Sequence, residues 1–305
     1  MKMSYDDFNE LVRRKLEEIC GKEFSVSVYE ALKNNSVVYK GITIREDSNN
    51  VAPTIYMEEF YTDYCDGKDI EEIVNDILRV YSSARKGPEF ETERFSDFEW
   101  VRGRIFFKLV NARQNALMLQ NVPSGRFLDL AMVYGVYMGV YRDSFSSVMI
   151  KNEHLGMWGV DEETVGRIAV MNTPALLPSS ICSMKEMLDG MGVRASGVTD
   201  EIPMYVLSNK DRVNGASAMA YEGVIGRFAG DLGCDLYILP SSIHELIIVP
   251  EAEEMDPGSL VRMIREVNDT QVSREEVLSY SLYRYSRERE AVEVAWPADR
   301  IAMAG

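Results

Sequence analysis

The sequence predicts an α+β fold, a mixed, mostly antiparallel sheet with helices, preceded by a small N-terminal α/β unit. Three observations carry this reading. Alternating apolar runs of strand length recur along the chain, bounded by turn residues. Other segments repeat apolar residues at helical spacing. Two pairs of strand-like runs are joined only by "NNS" and "PSSIH", connections so short that the strands they join must be antiparallel.

Taken in order, an amphipathic helix is expected over residues 5 to 20, where Phe8, Leu11, Leu16 and Ile19 recur at helical spacing and Ser4 is its cap. "EFSVSVYEAL" and "VVYKGITIRE" follow as a hairpin, and "NNVAPTIYM" as a short third strand in which Pro53 marks an edge. A helix over "DIEEIVNDILRVYSSAR" places Ile70, Ile73, Ile77, Leu78 and Val80 inward. The polar stretch "SSARKGPEFETERFSDFE" sets a boundary near residue 90, dividing residues 1–90 from a larger α+β domain over 91–290.

The larger domain opens with "RIFFKLVN" as a strand. "FLDLAMVYGVYMGV" reads as one long strand, with large apolar residues on one face and Asp129, Ala131, Gly135 and Gly139 on the other. "NEHLGMWGV" and "DEETVGRIAVMN" read as helices, the second ending before Pro174, and "ICSMKEMLDGMG" as a third. Then come "PMYVLSN" (strand), "GASAMAYEGVIGRFAGDLG" (helix), "CDLYILP" and "HELIIVP" (strands), "DPGSLVRMIREVND" (helix) and "EVLSYSLYRYSRE" (strand). Residues 291–305 are expected to be a loose tail.

Composition bounds the function. The chain has 305 residues, 46% of them apolar, and it begins with a charged segment that does not read as a signal peptide. Its longest apolar run, Leu128 to Tyr141, is shorter than the roughly 20 residues a membrane helix needs. Cys20, Cys65, Cys182 and Cys234 are scattered without a C-x-x-C pair, which fits buried thiols in a reducing cytoplasm. The net charge of −16 opposes non-specific nucleic-acid and membrane binding. That charge is uneven: residues 51–100 carry a net −8 and residues 101–150 a net +4.

The densest group of chemically capable residues is "LYILPSSIHELIIVP", with Ser241, Ser242, His244 and Glu245. It reads as a hairpin loop, because Glu245 follows His244 directly and leaves a strand on the opposite face. "HELII" has Ile248 where a zinc motif needs its second histidine, and His154 is more simply a ring stacked on Trp158. "GVIGRFAG" lacks the spacing of a nucleotide loop, although helix amides after Asn214, in "NKDRVNGASAM", are of the kind that bind anions. No metal and no cofactor is expected. Ser241, Ser242, His244, Glu245 and Asn214 stand as candidate ligand or partner contacts, with no catalytic residue assigned. Met184, Met187 and Met191 form a stripe that suits core packing or a partner groove.

The motif order "FLDLAMVYGVYM", "IKNEHLGMWGVDEETVGRIAVMNTP", "MYVLSN", "GASAMAYEGVIGRFAGDLGCDLYILPSSIHELIIVP" and "VLSYSLYRYSRE" resembles an uncharacterised family of gut clostridia and their relatives, a domain of unknown function spanning nearly the whole chain. The helix-loop-helix "NEHLGMWGVDEETVGRIAVMN" and the late strand pair are more distantly similar to a second uncharacterised cytosolic family, of bacilli. Neither resemblance implies an activity. The resulting expectation is a non-enzymatic cytoplasmic binding or regulatory protein with a protein partner. The alternatives are a hydrolase or ligand-binding enzyme using His244, Glu245 and a loop serine, or an acidic DNA-mimicking inhibitor presenting residues 51–100.

Overall fold

The computed structural model describes residues 2–46, 52–84, 94–141, 144–190 and 203–298. Two compact units divide the chain, Met1–Phe90 and Glu91–Gly305. The expected boundary near residue 90 lies in a segment outside the described residues. The fold is α+β, and every strand pair among the described residues is antiparallel.

In the first unit, helix α1 (Tyr5–Cys20) starts where the Ser4 side chain accepts the Asp7 amide, and stops at Gly21, whose φ is +79°. Strands β1 (Phe24–Leu32) and β2 (Val38–Glu46) form the hairpin, and β3 (Thr54–Tyr56) pairs with β2. Helices α2 (Glu58–Cys65) and α3 (Ile70–Ala84) follow. Phe8, Val12 and Leu16 pack on Ile42, Ile44 and Ile55 from the sheet and on Ile73, Ile77 and Tyr81 from α3. Val80, expected inward, is 45% exposed, because the buried stripe of α3 drifts from Ile73 through Ile77 to Tyr81. Helix α2 is not evident from apolar spacing. The rings of its Tyr61 and Tyr64 each meet Phe8 in a tilted contact, with centroids 5.3 Å apart.

The second unit holds two sheets where one was expected. After α4 (Phe98–Arg102) come β4 (Ile105–Asn111), β5 (Ser124–Phe127), β6 (Leu130–Tyr141) and β7 (Ser144–Met149), with β4, β5 and β7 all pairing to β6. The apolar run is therefore two elements: β5 ends at Phe127, and Leu128 and Asp129 turn the chain into β6. The small face of β6 is filled by a neighbouring strand, since a Cβ at Gly135 would lie 2.7 Å from the Phe106 ring. Helices α5 (Asn152–Trp158) and α6 (Glu162–Leu176) come next. Helix α6 runs through Pro174, expected to end it, because in the last turn a missing amide forfeits only one ladder bond. Side chains seal the outer edge of β4: Phe107 N donates to Thr173 Oγ1 at 3.0 Å and Leu109 N to Ser217 Oγ at 3.2 Å.

The second sheet contains β8 (Ser179–Ser183), β9 (Tyr205–Asn209), β10 (Leu236–Pro240), β11 (Leu246–Pro250), β12 (Leu282–Ser286) and β13 (Ala291–Trp296), in the order β13-β12-β10-β11-β9-β8. Helices α7 (Met184–Gly190), α8 (Val224–Leu232) and α9 (Pro257–Thr270) connect them. Three expectations change here. Ile181 and Cys182 are strand, paired opposite Leu207 and Val206; the helix begins only at Met184, where Ser183 and Glu186 cap one another. "GASAMAYEGVIGRFAGDLG" is a 3-10 turn, Gly215–Ala220, then α8, separated at Gly223 with φ +70°. Residues 291–296, expected in a loose tail, are β13, hydrogen-bonded along β12. Met184 and Met187 are half-buried, and Met191 lies outside the described residues. The cysteines, expected buried, are half-buried.

Alternation explains the layers. On β10, Leu236 and Ile238 face the core shared with the first sheet, while Tyr237 and Leu239 face Leu260, Val261 and Ile264 of α9. No helix among the described residues is long and apolar enough to cross a membrane.

Candidate functional site: a polar cleft around Asp129

Ser242, His244 and Asn214 meet in one knot. The β10–β11 loop closes with Ser242 N donating to Glu245 O, and His244 N donates to Ser242 Oγ at 3.0 Å. His244 Nδ1 accepts the Asn214 amide at 3.2 Å, which leaves the ring proton on Nε2, 3.4 Å from Glu276 Oε1. Ser208 Oγ donates to His244 O at 2.7 Å. Asn214 has φ +54°, tolerable for asparagine, and Gly215 beside it has no room for a side chain: a Cβ there would collide with Ser208 Oγ and His244 O and lie 2.7 Å from Asn209 N. Ser241 lies away from the knot, in a crevice with Met263 and Asn268 of α9. The polar groups of the knot are thus spent on joining the β10–β11 loop to its neighbours.

His154 sits elsewhere in the unit, its ring 5.6 Å from Trp158 and 5.0 Å from Phe95. Burial pushes its imidazole below the usual histidine range, and Nδ1 accepts the Lys151 amide. Among the described residues no three or more His, Cys, Asp or Glu side chains converge on one metal position.

A different arrangement surrounds Asp129. The β5–β6 connection is two residues long, and its first residue, Leu128, has φ +56°. A positive φ usually falls to glycine, so a leucine there is strained by about 1 kcal/mol. Arg126 Nε donates to Leu128 O at 3.0 Å and steadies the turn. Asp129 then meets the chain just before and within β12. Tyr283 Oη donates to Oδ1 at 2.7 Å, Ser281 Oγ to Oδ2 at 2.8 Å, and Ser279 Oγ to Oδ2 at 3.4 Å.

The hydroxyls are themselves positioned. Residues 278–281 were expected as strand but are irregular, so side chains must satisfy their backbone. Asn111 Nδ2 donates to Leu278 O at 3.0 Å and Asn268 Nδ2 to Ser279 O at 2.9 Å. Ser281 Oγ also accepts the Ala298 amide. Tyr283 is fully buried, and burial, followed by the adjacent Asp129 carboxylate, holds its phenol far above the usual tyrosine range, so it remains a donor.

Despite these bonds Asp129 is an exposed residue, and no cation pairs with it among the described residues. It opens on a cleft of about 800 Å³, lined also by Asn111, Arg113, Gln114, Arg126, Tyr280 and Val294. A smaller recess of about 290 Å³ adjoins it and shares Arg126, Leu128 and Asp129. The terminal nitrogens of Arg126 have no acidic partner among the described residues. A carboxylate and a guanidinium thus stand in one cleft on the same hairpin, each held by its own hydrogen bonds, with no ion pair between them among the described residues.

Fold and site together define an α+β protein with a preformed polar cleft where two antiparallel sheets meet. The chain belongs to a family of unknown function, DUF5688, whose model matches residues 5–287. That span includes Asp129 and its hydroxyl partners and stops before β13. No curated protein and no solved structure matches the chain.

Nothing in the spacing of the sequence marks this site. Arg126 and Asp129 are separated from Ser279, Ser281 and Tyr283 by about half the chain. The one local signal is a charged residue interrupting an apolar run, "FLDLAM".

Proposed function

We propose that this protein is a non-enzymatic binding or regulatory protein of the cytoplasm, and that it holds a segment of a protein partner in the cleft around Asp129. The observation that supports the reading is a carboxylate with no cationic partner among the described residues, oriented by hydroxyls from β12 and the segment before it and carried on a strained turn, beside a cleft of about 800 Å³. Strain and unneutralised charge both cost stability and recur where a protein contacts something else. The net charge of −16 argues for a protein partner over nucleic acid or an anionic membrane. In this reading Ser242, His244 and Asn214 support the β10–β11 loop, and neither they nor Ser241 and Glu245 form the contact surface.

The test uses tagged wild-type protein and Asp129→Asn as baits in lysate of the cells that make it, read by native mass spectrometry. Asparagine keeps the size and one acceptor of the aspartate, so the fold is expected to survive. Retention of a polypeptide by the wild type and its loss from the variant is the expected result. Equal retention by both overturns the assignment of the cleft.

A further inference from the structure

We infer that the chain pairs with a second copy of itself through the free edge of β1, antiparallel and centred on Val28, so that the sheets of the two first units join into one. This does not rest on the cleft around Asp129. β1 and β3 are the outer strands of the first unit's sheet. β3 is three residues long, whereas β1 runs for nine without a proline or a bulge, and Glu30 is its one charged side chain. Edges of that length are normally broken by proline, lysine or a bulge, because an open row of amides and carbonyls recruits another strand. Alternation of the ladder fixes which backbone groups are free. The Lys33 amide donates to Val37 O across the hairpin, so Lys33 faces β2 and with it Ala31, Tyr29, Ser27 and Ser25. The next strand agrees: Lys40, opposite Glu30, gives its carbonyl to Met57 and its amide to Glu58 Oε1, on the side away from β1. Val26, Val28, Glu30 and Leu32 therefore turn their amides and carbonyls to the edge, where none has a backbone partner among the described residues.

Self-pairing centred on Val28 uses the whole strand. Val28 faces its own copy, Val26 faces Glu30 and Phe24 faces Leu32, so edge-facing residues meet edge-facing residues, as an antiparallel ladder requires. The side chains agree with this register. Leu32 and Val38 are partners in the hairpin and lie on the face that carries Val26 and Ile42, yet they are 47% and 52% exposed. Phe24 of the second copy falls beside Leu32 and extends this apolar pair across the junction. Just beyond the strand, Glu23 falls opposite Lys33 of the second copy. Lys33 lies over the Tyr56 ring, 3.7 Å from its centroid, and neither Glu23 nor Lys33 has an ion-pair partner among the described residues. A register centred two residues further on would instead set Glu30 against Glu30. A self-complementary row of this kind closes as a dimer with a two-fold axis.

Sedimentation equilibrium of the full chain, from about 1 to about 100 μM, tests this. The wild type is expected to be dimeric at the upper end of that range. Glu30→Pro is expected to weaken the dimer by about tenfold or more, with folding confirmed by circular dichroism. The Glu30 amide faces the edge and its side chain is exposed, so proline removes a bond between the copies and none between β1 and β2. Glu23→Lys and Lys33→Glu each set like charges opposite one another at both ends of the junction. Each is expected to weaken the dimer by about fivefold, and the double variant to restore it. This exchange decides the matter if Glu30→Pro fails to fold. A wild type that is monomeric at every concentration, or a dimer unchanged by Glu30→Pro, overturns the inference. A double variant no tighter than the single ones overturns the pairing centred on Val28. A monomer from which Glu30→Pro releases a captured polypeptide also overturns the second copy as occupant, and assigns the edge to another protein.

Discussion

The larger unit contains two polar clusters, at His244 and at Asp129, that use similar groups to opposite ends. At His244 both ring nitrogens face protein partners, the backbone carbonyl accepts a serine, and the backbone amide is taken by another serine. Such a closed cluster converts loop residues into a joint. At Asp129 the hydroxyls all point toward one carboxylate, and that carboxylate still borders open space. The same kind of hydrogen bonding that ties up one cluster therefore pre-orients the other. The difference lies in whether the last acceptor has solvent or protein in front of it.

Stability and binding should respond differently at the two clusters. The largest effect is expected for Gly215→Ala, because the added Cβ meets backbone at His244 O and Asn209 N. Overpacking of this kind costs about 3 kcal/mol or prevents folding, and urea denaturation monitored by circular dichroism measures it. Next comes His244→Ala, which strands the buried Asn214 amide at a cost of about 2 kcal/mol by the same assay. Under folding conditions this variant should bind as the wild type does, and a lost partner would break the distinction between the clusters.

Tyr283→Phe removes a hydrogen bond to a charged acceptor without changing packing, so a loss of about 1.5 kcal/mol is expected together with weaker binding, as Asp129 loosens. It also carries a pH signature. The Tyr283 phenol is raised in the folded state, mainly by burial. A raised value means that the folded protein retains the proton where the unfolded chain has released it. Its contribution is therefore whole below about pH 10, the ordinary tyrosine value, and declines as pH rises beyond it. Alkaline unfolding curves should be less steep in Tyr283→Phe than in the wild type, and identical curves would remove Tyr283 from this account. The smallest stability effect, under about 1 kcal/mol, is expected for Asp129→Asn, which should nonetheless lose the most binding.

Much of the fold was legible because short-range rules decide it. Ser4 before a stripe of Phe8 and Leu16 specifies α1, and Asp256 before Pro257 specifies the start of α9. The alternation of Leu236, Ile238, Leu246 and Ile248 gives a hairpin whose register places Ile238 opposite Ile248. Elements decided by their partners were not legible. Strand β8 contains a sequence with helical spacing, but pairing with β9 claims Ile181 and Cys182. The alternation of Val292, Val294 and Trp296 in β13 is too short to mark a strand at a chain end, and pairing with β12 orders it.

The candidate sites divide along the same line. Ser241, Ser242, His244 and Glu245 are adjacent in the chain and visible at once, and adjacency is what a turn needs to satisfy itself. Asp129 becomes a site only when Asn111 and Asn268 pin an irregular segment beside it, a relation between residues far apart in sequence. Single-sequence reading can flag Asp129 as a charge inside an apolar run, but it cannot supply the hydroxyls that face it.

One measurement tests the central claim most directly: the dissociation constant of the captured polypeptide for Asp129→Asn and His244→Ala, side by side with the wild type, each confirmed folded by circular dichroism. The account predicts at least tenfold weaker binding for Asp129→Asn, the equivalent of about 1.4 kcal/mol, and an unchanged value for His244→Ala. Weaker binding for His244→Ala with Asp129→Asn unchanged would contradict it and move the working surface to the β10–β11 loop.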